Sequence, residues 1–119
     1  MFGYHGRYLR IDLSRRHAEA VPLKESVLRR FLGGVGLGAW LLLREWPKDR
    51  IRSGDEPRGL AEPNWFYGLE AALDERAPLI LAFSPLVGSP VTTSAKFAVV
   101  ACSPLTGRFN DALCGSQFA

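Results

Sequence analysis

The chain has 119 residues, of which 47% are hydrophobic and 23% are charged, and its formal net charge is +3. This length is typical of one globular domain, and the composition excludes a disordered or low-complexity chain. No apolar run approaches the length of a membrane span, and the N-terminal sequence lacks the apolar core of a secretory signal. We therefore expect a single domain over residues 1–119 in the cytoplasm, with no membrane partner.

Charge and cysteine content exclude two further classes of protein. The excess of basic residues is small and dispersed, and no recognition motif accompanies it, so we expect no nucleic-acid partner. Cys102 and Cys114 are the only cysteines, and two thiols cannot hold a structural zinc ion or an iron–sulfur cluster. We predict that Cys102 is a buried thiol in a strand and that Cys114 lies in a loop. No pair of residues is typical of a catalytic acid and base, so we assign no catalytic residue and no metal ligand.

The chain begins with a pattern typical of a β-hairpin. Residues 6–13 alternate between polar and apolar side chains and place Leu9, Ile11 and Leu13 on one side, which predicts a half-buried strand. A short polar connection leads to a second predicted strand over residues 17–21.

Apolar residues at helical spacing follow Pro22 and predict one main helix, interrupted around Gly33 and Gly34 and ended by Pro47. The break has the sequence GGVGLGA, which invites comparison with the dinucleotide-binding pattern Gly-x-Gly-x-x-Gly. That pattern requires a strand before its first glycine, whereas the residues before Gly33 have a helical period. We favour a structural role, in which the glycines let two chain segments approach closely, and keep nucleotide binding as the alternative.

The second half of the chain contains one turn sequence twice. Residues 79–83 and 97–102 are predicted strands, and each is followed by Ser-Pro-Leu-x-Gly, at 84–88 and at 103–107. Proline fixes its own φ and holds the preceding serine in an extended conformation, while glycine can adopt a positive φ at no steric cost. We therefore predict a rigid turn at the end of each strand.

The remaining segments complete the predicted fold. We expect a polar loop over residues 48–63, a short amphipathic helix over 65–76 and a turn at 108–111. Together with the hairpin and the two later strands, these segments predict an α+β fold with mostly antiparallel strands and one main helix.

Three segments, in this order and spacing, resemble one known family. They are residues 3–13, residues 31–42, and the two Ser-Pro-Leu-x-Gly turns around residues 96–100. Together they resemble the N-terminal domain of the tungsten-containing aldehyde ferredoxin oxidoreductases. Members of that family are several times longer, so the resemblance implies a fragment, or a subunit completed by a partner, with the fold of the first part of that domain.

The resemblance also implies a function. The domain would be the base that binds a tungsten bis-pyranopterin cofactor in an enzyme that oxidises an aldehyde to a carboxylic acid and passes the electrons to ferredoxin. The cysteines of a [4Fe–4S] cluster lie in later domains of family members. The implied partners are therefore the remaining domains or a companion subunit, together with ferredoxin, and the chain is not expected to be active alone.

Five residues match cofactor-binding positions of the family: Lys96, Leu113, Cys114, Gly115 and Ser116. Lys96 stands where the family has an arginine between pterin and cluster, and Leu113 replaces an asparagine whose backbone helps to bind a magnesium ion between the pterins. In the family, the two turns flank a segment that faces the cofactor. Because Lys96, Ser116 and Ala119 depart from the family pattern, a second hypothesis is a non-catalytic module that keeps the fold and binds a protein partner.

Overall fold

A computed structural model of the chain describes residues 4–47, 72–92 and 94–115. These residues form the strands and helices β1 (Arg7–Asp12), β2 (His17–Pro22), α1 (Glu25–Phe31), α2 (Gly34–Glu45), β3 (Ile80–Phe83), β4 (Phe97–Cys102) and β5 (Phe109–Cys114). β1 pairs with β2 in a two-stranded sheet, and β3, β4 and β5 form a three-stranded sheet with β4 in the centre. Every one of these pairings is antiparallel, so the predicted α+β class is confirmed.

The N-terminal hairpin forms as predicted, but it packs through the opposite side from the one expected. β1 and β2 are paired along their whole length. Leu9, Ile11 and Leu13 are 62%, 59% and 85% exposed, so the prediction that this side is buried is wrong for the described residues. The half-buried Tyr8 packs instead against a buried cluster that includes Leu28 of α1. The helices use this side because Tyr8 offers both an aromatic ring and a hydroxyl donor to them.

The predicted break in the helical region is confirmed, and it divides the region into two helices. α1 ends at Phe31, where the N–H of Leu32 donates to the carbonyl of Leu28 at 2.8 Å. Leu32 then adopts φ 56° and Gly33 adopts φ 141°, so two successive residues leave the helical conformation. This change of direction allows α2 to lie on the three-stranded sheet.

The main core lies between α2 and one face of the three-stranded sheet. It consists of the buried residues Leu42, Trp46, Ala98, Val100 and Cys102. Side chains alternate between the faces of a strand, so Ala98, Val100 and Cys102 all point toward α2. The prediction that Cys102 is a buried thiol in a strand is therefore confirmed.

The strand β5 corrects two expectations. The sequence predicts a turn at 108–111, whereas the structure places Phe109–Cys114 in a strand that pairs with β4 along its length. Cys114 is consequently half-buried in a strand and does not lie in a loop. The turn prediction is wrong because Asn110 and Asp111 are exposed on an edge strand, where polar side chains remain solvated and interrupt the apolar pattern.

Two predicted segments lie outside the described residues. They are the polar loop over 48–63 and most of the helix over 65–76, of which the structure describes only 72–76, mainly as turns. The helices that the structure does describe are too short or too polar to span a bilayer.

A hydrogen-bonded cluster joins the hairpin to α2. The Tyr8 hydroxyl donates to Glu45 Oε1 at 2.5 Å, and the Arg10 guanidinium donates to both carboxylate oxygens of Glu45 at 2.9 Å. Burial raises the pKa of Tyr8, and its hydrogen bond to Glu45 raises it further, so the phenol remains a donor. Burial alone would raise the pKa of Glu45, but the hydrogen bonds from Arg10 and Tyr8 outweigh burial and lower that pKa below its ordinary value.

This cluster predicts a pH-dependent stability. Because the pKa of Glu45 is lower in the folded state, its stabilisation is complete above the ordinary glutamate value of 4.5 and is lost as the pH falls through the folded-state pKa. In Glu45→Gln, the melting temperature should therefore fall less between about pH 5 and pH 3 than in the original protein. Thermal unfolding followed by circular dichroism measures this slope.

Glu25→Gln is the matched control for that experiment. Glu25 forms an exposed pair with Arg29 one helical turn away, and such pairs contribute little to stability. The control should keep the acid dependence of the original protein. An unchanged acid dependence in Glu45→Gln would show that the hairpin does not rely on this carboxylate.

Candidate functional site

The first Ser-Pro-Leu-x-Gly sequence, residues 84–88, folds into a compact turn that we call the first turn. Ser84 Oγ accepts a hydrogen bond from the N–H of Leu86 at 3.2 Å, and the Ser84 carbonyl accepts one from the N–H of Val87 at 3.1 Å. Gly88 adopts φ 82°, which an L side chain rarely adopts. The serine and the glycine are therefore both needed for this geometry.

The second copy, residues 103–107, is called the second turn; it shares the serine side-chain hydrogen bond with the first turn but is closed by a backbone bond from its glycine. Ser103 Oγ accepts from the N–H of Leu105 at 3.3 Å, and the Ser103 carbonyl accepts from the N–H of Gly107 at 2.8 Å. Gly107 adopts φ 66°. The N–H of Ser103 also donates to the carbonyl of Arg108 at 2.7 Å, which closes the connection from β4 to β5. The predicted positive φ at the glycine is confirmed in both turns.

The two turns lie at opposite ends of β4. The first turn follows Phe83, which pairs with Phe97 at the beginning of β4, whereas the second turn follows Cys102 at the end of β4. A strand of six residues is roughly 17 Å long. The turns therefore flank β4, but only the first turn lies at the end of the sheet where Lys96 is found.

Lys96 lies between the first turn and the end of β5. Its carbonyl accepts a hydrogen bond from the N–H of Ser84 at 3.2 Å. Phe97 pairs with Cys114, so the neighbouring residues Lys96 and Gly115 lie at the same end of the sheet, just beyond the paired strands. The Lys96 side chain is exposed, and it forms no ion pair with any residue that the structure describes.

The other predicted site residues are distributed over both faces of the sheet. Leu113 pairs with Ala98 on the face toward α2 and is 72% exposed, whereas the half-buried Cys114 points to the opposite face. Gly115 is exposed, and a Cβ there would meet no atom within 4 Å. Ser116 lies outside the described residues. The sheet thus brings together Lys96, Cys114 and Gly115 at one end, while the side chains of Leu113 and Cys114 diverge.

This end of the sheet carries two of the groups expected from the sequence. Lys96 is exposed, and the backbone at Gly115 is open to close approach. Cations and accessible backbone N–H groups are the usual protein ligands of phosphate and other oxyanions. Lys96 and the Gly115 backbone are therefore candidate contacts for an anionic ligand.

The glycine-rich break serves close packing. A Cβ at Gly33 would lie 2.9 Å from the Phe83 carbonyl oxygen and 2.9 Å from Pro85 Cδ, and one at Gly38 would lie 2.7 Å from Val100 Cγ2. The predicted structural role of these glycines is confirmed. The element before the break is α1, so the strand that the dinucleotide-binding pattern requires is not there.

A second concave region lies between the first turns of α2 and the beginning of β5. It is an open cleft of about 480 Å³, lined by Val35, Gly36, Ala39, Arg108 and Phe109. Of the predicted site residues that the structure describes, none lines this cleft. Among the described lining residues, Arg108 is charged and the others are apolar.

Sequence reasoning did not identify the cluster of Tyr8, Arg10 and Glu45. Its members on β1 and α2 are more than 30 residues apart, so no local spacing could have indicated them. Its groups satisfy one another, and we assign it the structural role of holding the hairpin on α2. In the three described ranges, no group of three or more His, Cys, Asp or Glu side chains is placed to hold a metal ion.

Comparison with known proteins defines the family to which this chain belongs. The family model described as aldehyde ferredoxin oxidoreductase, N-terminal domain, matches residues 8–119. The chain belongs to this family, and the resemblance found in the sequence is confirmed.

Individual relatives agree with this assignment. The chain is 29% identical over 121 residues to the tungsten-containing aldehyde ferredoxin oxidoreductase of Pyrococcus furiosus, and 30% identical over 118 residues to that of Thermococcus kodakarensis. Each match covers 99% of this chain but only 16% of the relative. A shorter match, 44% identical over 45 residues, is to the WOR-like subunit of an aliphatic sulfonate oxidoreductase of Pyrococcus furiosus; it covers 38% of this chain and 7% of the relative. The chain thus corresponds to a small part of much larger oxidoreductases.

Proposed function

We propose that this chain is the cofactor-binding base of an aldehyde ferredoxin oxidoreductase-like enzyme and is incomplete by itself. The observation that supports this most directly is the position of Lys96 beside the first turn and next to Phe97, whose partner Cys114 precedes Gly115. This arrangement combines a cation with an open glycine backbone at one end of a rigid sheet. It suits the phosphate and pterin oxygens of a tungsten bis-pyranopterin.

Each candidate residue has a defined task in this proposal. Lys96 neutralises anionic charge on the cofactor, and the first turn holds the lysine backbone in place through the Ser84 hydrogen bond. Gly115 allows the cofactor to approach the backbone closely, and the backbone groups of Leu113, Cys114 and Ser116 complete the contact. The bound tungsten cofactor supplies the oxidation of an aldehyde to a carboxylic acid, and this chain positions it.

The remaining components belong to other parts of the enzyme. With two cysteines in the chain, the four thiolates of a [4Fe–4S] cluster must come from the remaining domains or a companion subunit. Ferredoxin is the proposed electron acceptor, and the cytoplasm the proposed location. The large difference in length between this chain and its relatives supports the need for such partners.

A non-catalytic module is the second candidate. It is favoured by the divergence of the Leu113 and Cys114 side chains on two faces of the sheet, because only backbone groups of both residues can then contact one ligand. It is also favoured by lysine at position 96, which lacks the planar, bidentate geometry of arginine. Cofactor retention distinguishes the two candidates.

The test is the variant Lys96→Ala, assembled with the polypeptide encoded immediately downstream. Loss of a charge-assisted hydrogen bond should weaken cofactor retention by on the order of 1–3 kcal/mol, or about 5- to 150-fold. Lys96→Arg should retain the cofactor, because it keeps the charge. Tungsten by elemental analysis and pterin by fluorescence after oxidation measure the retention.

Lys24→Ala is the matched control. Lys24 is also exposed, and its side chain makes no capping hydrogen bond at the beginning of α1. The control should retain the cofactor fully. Equal retention in Lys96→Ala and Lys24→Ala would refute the site and leave the non-catalytic module as the better interpretation.

A further inference from the structure

The two copies of Ser-Pro-Leu-x-Gly differ in what lies against them. Pro85 of the first turn is half-buried, whereas Pro104 of the second turn is exposed. A Cβ at Gly33 would lie 2.9 Å from Pro85 Cδ and 2.9 Å from the Phe83 carbonyl oxygen. The first turn is therefore packed against the helix break at residues 32–33, while the proline of the second turn faces solvent.

The helix break is itself held in a strained conformation. Leu32 adopts φ 56° and ψ −35°, and the N–H of Gly33 donates to the carbonyl of Phe31 at 2.6 Å, which closes a three-residue γ-turn. A γ-turn with a positive φ at its central residue is rare and strained, and such strain persists only where surrounding contacts hold it. Here the Leu32 N–H donates to the carbonyl of Leu28 at 2.8 Å, and the Leu32 carbonyl accepts from the Tyr4 hydroxyl at 2.7 Å. The helix break is therefore a firm surface for the first turn.

The first turn in turn fixes the backbone of Lys96. The N–H of Ser84 donates to the Lys96 carbonyl at 3.2 Å, and the N–H of Lys96 donates to the carbonyl of Ser94 at 2.8 Å. Both backbone groups of Lys96 are thus bound, while its side chain is exposed. Ser84 lies between the two residues that contact the helix break, so a movement of the first turn away from the break changes the bond to Lys96.

We propose that the helix break and the first turn form one support for Lys96, in which Gly33 and Pro85 are positioning residues. This inference rests on the proposed function, because Lys96 needs a fixed backbone only if its ammonium group contacts a ligand. The lysine side chain is a flexible four-carbon stem, so a fixed backbone limits the region that the ammonium group can reach. Of the two turns, only the first then acts on the cofactor site, and the second connects β4 to β5.

Pro85→Ala is the test variant, because Gly33→Ala would strain the backbone as well as the contact. Alanine removes the ring carbon that lies against Gly33 and leaves the Ser84 N–H in place. Loss of this contact should increase local opening of the first turn, so the Ser84 N–H should exchange with deuterium at least about fivefold faster. NMR of the full chain, prepared without cofactor, measures exchange at this amide, and circular dichroism confirms that the variant is folded.

Cofactor retention is the second measurement. The variant is assembled with the polypeptide encoded immediately downstream in tungstate-supplemented cells, and the complex is dialysed. Because Lys96 is less firmly placed in Pro85→Ala, tungsten and pterin should be lost at least about threefold faster than from the original complex.

Pro104→Ala is the matched control. It makes the same substitution in the same turn sequence, but at the opposite end of β4 and at an exposed proline. Both substitutions remove one proline, so they change the conformational entropy of the unfolded chain to a similar extent. The control should leave the exchange of the Ser84 N–H and the retention of the cofactor unchanged.

Two outcomes would overturn the proposal. One is equal exchange at the Ser84 amide in Pro85→Ala and Pro104→Ala, which would show that the helix break does not hold the first turn. The other is full cofactor retention in Pro85→Ala when Lys96→Ala loses the cofactor, which would show that Lys96 does not depend on the support. Full retention in Lys96→Ala would instead refute the proposed function, so the two failures give different results.

Discussion

Replacing Gly33 with alanine is expected to lower the free energy of unfolding more than the same replacement at Gly38 or Gly88. Gly33 has φ 141° and ψ −168°, a conformation that is essentially restricted to glycine and costs other residues about 1–3 kcal/mol. The new Cβ would also lie 2.9 Å from the Phe83 carbonyl oxygen and from Pro85 Cδ. Overpacking of this kind costs about 1–3 kcal/mol in addition. Urea denaturation should show a loss of several kcal/mol in the free energy of unfolding.

Gly88→Ala separates the two contributions to this effect. Gly88 also has a positive φ, of 82°, but a Cβ there would meet no atom within 4 Å. The control should therefore lose only the conformational part, about 1–2 kcal/mol. Equal losses in Gly33→Ala and Gly88→Ala would contradict the close packing of the helix break on the first turn.

Gly38→Ala is expected to destabilise the chain although alanine is the better helix former. Within a helix, this substitution normally stabilises by about 1 kcal/mol. Here the Cβ would lie 2.7 Å from Val100 Cγ2 and 3.4 Å from the Cβ of Ala82, because α2 approaches β4 closely at this position. The net loss of stability should be on the order of 1–3 kcal/mol.

A double-mutant cycle with Val100→Ala tests the cause of that loss. Val100 is fully buried, so Val100→Ala alone should destabilise the chain by about 1–3 kcal/mol through the cavity that it creates. In the double variant, the removed methyl groups make room for the new one at position 38. The double variant should therefore be more stable than the sum of the single losses predicts, by at least about 0.5 kcal/mol. Strict additivity would show that helix and strand do not meet at this point.

Local sequence patterns predicted the elements whose geometry depends on local chemistry. The hairpin follows from alternation around a polar connection, and both turns follow from serine, proline and glycine at fixed spacing. Glycine at positions 88 and 107 adopts the positive φ that the turn requires. The helix break at Gly33 is predictable for the same reason, because the glycines that cause it can be recognised in the sequence without knowledge of distant contacts.

Long-range packing explains what the sequence did not predict. β5 was missed because Asn110 and Asp111 are solvated on an edge strand, and its pairing is defined by β4 rather than by its own pattern. The alternation predicts a buried side that contains Leu9 and Ile11, but which side of a hairpin is covered depends on the element packed against it. Here Tyr8 and its bond to Glu45 determine that choice.

In the candidate site, too, some features follow from the sequence and others depend on long-range packing. The family resemblance indicates Lys96 and Gly115 individually, but their position at the same end of the sheet depends on β5, which the sequence does not predict as a strand. The divergence of Leu113 and Cys114 onto two faces likewise follows from the register. The sequence therefore indicates candidate residues, and the structure shows where the described ones lie relative to one another.

The tungsten content of the assembled protein tests the proposed function most directly. The chain is purified anaerobically from tungstate-supplemented cells, once alone and once together with the polypeptide encoded immediately downstream. Alone, it should contain neither tungsten nor iron in stoichiometric amounts, because its two cysteines cannot hold a cluster and most cofactor contacts are proposed to lie on the remaining domains. The assembled protein should contain stoichiometric tungsten and pterin by elemental analysis and fluorescence. An assembled protein without tungsten, or stoichiometric metal in the isolated chain, would contradict the assignment of this chain as an incomplete cofactor-binding base.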